Sequence, residues 1–194
     1  MAIISRKNNY IFFHIPKCGG TSMSDILPNK EIVKNIENTH FTYFETKYAF
    51  DVNGETDIFN KSNKFALVRN PIDRVVSLFK YIKKHSDHHL HNRFINYDFT
   101  QFCYFLRNVG DDSIMSCKAH LMDDNGEIDS SIKIFKLEEI NHNLEELSDI
   151  IGQKINSFPH INTSDFFYEH TEESNLLLRE IFEDDINMFY NELL

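Results

Sequence analysis

The sequence predicts an α/β fold in which a largely parallel sheet is covered by helices on both faces. Three observations predict it. Two short apolar runs, Tyr10-Ile11-Phe12-Phe13 and Phe65-Ala66-Leu67-Val68, each pass directly into helix-start signals. A third strand-like stretch at 132–136 is followed by helical periodicity over 138–151. Strands that alternate with helices in this way build parallel sheets rather than meanders.

Element by element, strands are expected at 10–15, 31–36, 64–69 and 132–136. Helices are expected at 20–27, where Pro28 stops the run, and at 41–50, 71–84, 98–107, 111–117, 138–151 and 172–191. Residues 51–62, with Gly54 and three Asn, read as a loop, as does the polar stretch 85–92. Residues 123–129 contain a turn. Repeats and low-complexity segments are absent from the sequence, and 194 residues suit one domain spanning 1–194 with a sizeable core.

The first strand runs into His14-Ile15-Pro16-Lys17-Cys18-Gly19-Gly20-Thr21-Ser22. A Lys-bearing turn with adjacent glycines, then two hydroxyls opening a helix, is an anion cradle. Glycine lets backbone N–H groups approach a phosphate or sulfate, and a helix N-terminus favours negative charge. Lys17 adds a mobile positive charge, and Thr21 and Ser22 add donors. A Walker A loop does not fit, because Lys17 precedes the glycines. A cysteine-phosphatase loop does not fit either, because Ser24 stands where its Arg would be. The three spaced glycines of a dinucleotide fingerprint are missing.

About fifty residues on, the second run gives way to Arg69-Asn70-Pro71-Ile72-Asp73-Arg74-Val75-Val76-Ser77. Asn70 suits an N-cap and Pro71 the first helical position. Arg69 then stands at a strand tip, and Arg74 and Ser77, three apart, share a helical face. Arg is the bidentate partner of choice for phosphate. Two anion sites at two strand tips point to one ligand with two separated anionic groups.

These two strings resemble the paired motifs of sulfotransferases that use 3′-phosphoadenosine 5′-phosphosulfate (PAPS), most closely the carbohydrate branch (heparan- and chondroitin-type enzymes) with its bacterial relatives. The likeness extends through Ile134-Phe135-Lys136-Leu137-Glu138-Glu139, Phe158-Pro159-His160-Ile161-Asn162 and the stretch 182–190. It implies a P-loop NTPase-like three-layer sandwich and sulfuryl transfer to an acceptor hydroxyl, with a carbohydrate as the acceptor. It implies that Lys17, Cys18, Gly19, Gly20, Thr21 and Ser22 hold the 5′-phosphosulfate and that Arg69 and Ser77 hold the 3′-phosphate, with Arg74 supporting the helix or the site edge. Lys17 would also neutralise charge on the leaving oxygen, with no metal required. The product is adenosine 3′,5′-bisphosphate. A His in the position of His40 is the base in carbohydrate members, and its ordinary pKa near 6.5 suits that task. Relatives place Arg where Lys136 stands, a weaker bidentate donor. Glu45 is a secondary candidate to orient or replace His40, and His14 is expected to hold the loop by hydrogen bonds.

Two other classes stay open on the sequence. One is a non-catalytic sensor that binds adenosine 3′,5′-bisphosphate. The other is a small nucleotide kinase with a divergent loop. The histidines 85, 88, 89 and 91 read as a solvated loop rather than a metal site. The formal charge of −10 argues against nucleic acid as a partner. Three sparse cysteines, the lack of an apolar run long enough for a membrane span, and the lack of a leader-like stretch before residue 10 lead to the expectation of a soluble, cytoplasmic protein.

Overall fold

The structure is a computed structural model of the chain, and it describes residues 2–32, 41–108, 116–159 and 171–191. Along the chain the elements are β1 (Ala2–Ser5), β2 (Tyr10–Phe13), α1 (Gly20–Ile26), β3 (Glu31–Ile32), α2 (Tyr43–Val52), α3 (Thr56–Lys61), β4 (Asn63–Val68), α4 (Pro71–Lys84), α5 (His91–Phe94), α6 (Phe99–Asn108), α7 (Cys117–Leu121), β5 (Ile132–Lys136), a 3₁₀ helix (Leu137–His142), α8 (Leu144–Ile151), α9 (Glu172–Ile181) and α10 (Glu183–Phe189). They fall into two compact units, residues 1–68 with 117–161, and residues 69–116 with 162–194.

The first unit carries the sheet, in the order β3-β1-β2-β4-β5. β2, β4 and β5 are parallel neighbours, with Phe13 opposite Ala66 and Val68 opposite Lys136. β1 runs antiparallel to both β2 and β3, so β3 points the same way as β2. The α/β class holds, with an open, mostly parallel sheet consistent with a P-loop-like three-layer sandwich. The sequence reading missed β1. It is a four-residue strand closed by a hairpin turn at 6–9, where Asn9 adopts φ 56 and Asn8 N–H donates to Ser5 Oγ.

The strands alternate their faces. Phe12 stacks on Phe65 (5.0 Å between centroids) and on His14 (6.0 Å), while Phe135 meets Phe65 edge-on. Tyr10, on the same face, donates its hydroxyl to Pro28 O at 2.7 Å, so α1 folds back along β2. Phe13 points the other way, onto Tyr43 of α2, which in turn meets Phe59 of α3. Helices therefore cover both faces of β2. Residues 51–62, expected to be a loop, contain α3, whose apolar anchor Phe59 is 1% exposed.

The second unit is helical. Its core joins Val75, Phe79 and Ile82 of α4, Phe94 of α5, Phe102, Cys103 and Leu106 of α6, and Leu177 and Leu178 of α9. The apolar stripe of α4 follows from its helical spacing, and the expected bounds of α4 match the structure. The long expected C-terminal helix is broken at Phe182 into α9 and α10.

Candidate functional site

The chain leaves β2 at Phe13 and turns over Ile15–Gly19 before α1 begins. Cys18 N–H donates to Ile15 O at 3.3 Å, and Met23 N–H donates to Gly19 O at 3.0 Å. Two residues of this turn sit in the left-handed region, Lys17 at φ 64 and Gly19 at φ 78. Glycine takes that conformation freely, whereas a Lys does so only where its surroundings enforce it.

Those surroundings press on the turn from three sides. A Cβ on Gly20 would lie 1.7 Å from His14 Nε2. A Cβ on Gly19 would lie 2.7 Å from Leu137 Cδ1, in the residue after β5. Cys18 Sγ lies 3.8 Å from Cys117 Sγ at the start of α7. The glycine pair, read from sequence as room for an anion, is thus also demanded by packing. His14 is stacked on Phe12 and fills the space a side chain at position 20 would need. Cys18 and Ser22 are buried, Thr21 is exposed, and Lys17 is half-buried.

β4 ends at Val68, and Arg69 and Asn70 lead into α4. Asn70 caps the helix, its side chain accepting from Ile72 N–H at 2.9 Å, with Pro71 in the first turn. Arg69 and Ser77 are half-buried, whereas Arg74 is fully buried. Because β2 and β4 are parallel neighbours, the two motif strings follow the same-facing ends of adjacent strands. Lys136, at the corresponding end of β5, pairs with Glu139 at 3.8 Å.

Other candidates resolve differently. His40 lies outside the described residues, as do residues 111–115 of the helix expected over 111–117, whose last position, Cys117, instead opens α7. Glu45 is engaged locally: its Oε2 accepts from Thr42 N–H (2.8 Å) and Thr42 Oγ1 (3.0 Å), completing a capping box on α2. Thr42-Tyr43-Phe44-Glu45 carries that signature, and the sequence reading overlooked it. In the histidine cluster, His91 Nδ1 lies 2.8 Å from Ile82 O, and Leu90 N–H donates to His88 Nδ1 at 3.2 Å. Among the described residues, no group of three or more His, Cys, Asp or Glu is placed to hold a metal ion. Likewise, no helix among them is long and apolar enough to cross a membrane.

Comparison with known proteins gives a single kind of match. Neither a curated protein nor a solved structure matches the chain. The model of the sulfotransferase family matches residues 1–191, so it takes in the Lys17 turn, the Arg69 string and the C-terminal helices together. That span covers nearly the whole chain, and the chain belongs to the sulfotransferase family.

Proposed function

We propose that this chain transfers the sulfuryl group of PAPS to a hydroxyl-bearing acceptor, a carbohydrate, with residues 1–194 acting as one sulfotransferase domain. The carrying observation is the clamped turn. Lys17 is held at a positive φ between β2 and α1 by packing on both following glycines, inside a family whose reaction is sulfuryl transfer. A fixed loop with a cation at its apex pre-positions charge where a leaving phosphate develops it.

In this reading Cys18, Gly19, Gly20, Thr21 and Ser22 form the 5′-phosphosulfate cradle, and Lys17 neutralises the bridging oxygen as the sulfuryl group departs. Arg69 and Ser77 hold the 3′-phosphate. His40 takes the acceptor proton. The donor supplies the activated sulfuryl group, and positioning plus charge neutralisation suffice without a metal. Adenosine 3′,5′-bisphosphate is the product. A cytoplasmic, reducing setting fits three cysteines outside any disulfide. The formal charge of −10 argues against a nucleic acid as acceptor.

The test is thermal stabilisation by adenosine 3′,5′-bisphosphate, adenosine 5′-monophosphate and ATP with Mg²⁺, in wild type and Arg69→Ala. The 3′-phosphorylated ligand should stabilise wild type most, and that preference should vanish in Arg69→Ala. A preference for ATP with Mg²⁺ would replace the reading with a kinase. Transfer of labelled sulfate to a glycan panel, absent in His40→Ala, separates an enzyme from a nucleotide sensor.

A further inference from the structure

Two buried thiols face each other beneath the Lys17 turn. Cys18 Sγ and Cys117 Sγ are 3.8 Å apart, although 99 positions separate them in the chain. Neither is in a disulfide, each is 1% exposed, and both belong to the first unit. Cys117 opens α7, which packs on α2. A disulfide holds its sulfurs about 2.0 Å apart, so closure needs a displacement of only about 2 Å. Cys103 lies in the other unit, within the aromatic core around Phe79 and Phe102, and takes no part.

We infer that Cys18 and Cys117 form a reversible disulfide that pins the Ile15–Gly19 turn to α7, a redox lock on the anion loop. With hydrogen peroxide as oxidant, one thiolate attacks the peroxide, its O–O bond breaks, and a sulfenic acid forms as hydroxide leaves and is protonated to water. The second thiol displaces that oxygen as a second water, and the S–S bond forms. Two thiols are oxidised and one peroxide is reduced to two waters. A dithiol reductant reverses the step by thiol–disulfide exchange. Because both thiols are buried, oxidation proceeds through local opening and is slow.

The position gives the lock its effect. Cys18 sits between Lys17 and Gly19, both left-handed, in a turn already held by His14 and Leu137. A covalent tie there draws the backbone of the turn toward α7 and restrains the residues on either side. Only the consequence for the nucleotide rests on the proposed function.

The experiment uses the full chain, reduced or treated with hydrogen peroxide, then denatured and alkylated. Alkylatable thiols should fall from three to the single thiol of Cys103, with a Cys18–Cys117 cross-linked peptide in the mass spectrum, and dithiothreitol should restore all three. Amide exchange at Lys17–Gly20 should slow about tenfold in the oxidised chain. Three surviving thiols, a bridge that includes Cys103, over-oxidation of Cys18 without a bridge, or unchanged exchange would each overturn the lock. Adenosine 3′,5′-bisphosphate should bind the oxidised form about tenfold more weakly. If neither form binds it while the bridge and slowed exchange are present, the PAPS reading fails and the lock stands.

Discussion

The imidazole of His14 occupies the space that a side chain at Gly20 would need. An ideal Cβ on Gly20 comes within 1.7 Å of Nε2 and 1.8 Å of Cδ2. The ring cannot simply yield, because it is stacked on Phe12, which is stacked on Phe65 in the middle of the sheet. Gly20→Ala should therefore displace the ring, loosen the Lys17 turn and cost about 1–3 kcal/mol, the usual cost of overpacking. In a His14→Ala background the same substitution should cost much less. Urea unfolding of the four proteins of this double-mutant cycle checks it, and equal costs in both backgrounds would refute the contact.

Lys17 separates binding from chemistry. If its ammonium meets charge that develops only as the sulfuryl group leaves, Lys17→Met should lower kcat by about 100-fold or more with little change in KM for the donor. If it merely holds the ground-state phosphosulfate, KM should rise at nearly constant kcat. Steady-state kinetics over donor concentration distinguish the two. The positive φ at this position adds a second expectation. Lys17→Gly should keep the turn and the fold while losing the charge, because glycine tolerates φ 64 without strain.

The sequence was most legible where local and tertiary preferences agreed. The stretch Asn70-Pro71 followed by an apolar stripe gave the bounds of α4 directly, since cap, first-turn proline and core face all point to one helix. Strand β4 was equally clear, because a central parallel strand is apolar on both faces, and the outer strand β5 showed through Ile132, Ile134 and Phe135 ahead of the helical periodicity. β1 was not. Four residues at a chain end show no usable period, and their pairing with Tyr10–Phe13 is a tertiary fact. α3 was hidden by Gly54 and its polar neighbours, with only Phe59 to mark the buried side. The single helix expected over 138–151 is a 3₁₀ turn ending at His142 and a separate α8, since Asn143 leaves helical geometry between them. In the site, the anion turn was visible as a motif. The reasons for its glycines were not, because His14 and Leu137 reach them only once the sheet has formed.

Arg69 and Arg74 make opposite predictions although they stand five residues apart. Arg69 is half-buried at the head of α4. Arg74 is 0% exposed and is the largest of the fully buried side chains. Arg74→Ala should destabilise the chain by about 3 kcal/mol or more, the scale for emptying a large core position. Arg69→Ala, at a half-buried position, should cost the ligand-free chain only about 1 kcal/mol, the centre of ordinary point-mutant losses. Thermal melts without nucleotide test the pair. Equal losses would mean that Arg69 is a packing residue and would remove the basis for its phosphate role.

Cys103 gives the stability a dependence on alkaline pH. Burial in the aromatic core of the second unit, helped by the nearby Asp98 carboxylate, pushes its thiol from 9.0 up to about 12. Below pH 9 the folded and unfolded chains both keep the proton, and the contribution is fully present. Above pH 9 the unfolded chain releases the proton first, so stability falls by about 1.4 kcal/mol per pH unit until the folded thiol ionises near 12. Other groups titrate in this window, including Tyr10, whose hydroxyl burial also pushes up to about 12. The readout is therefore the difference between wild type and Cys103→Ala. Urea midpoints measured from pH 8 to pH 10.5 under reducing conditions should decline more steeply in wild type. Parallel curves would show that Cys103 ionises as readily in the folded chain as in the unfolded one.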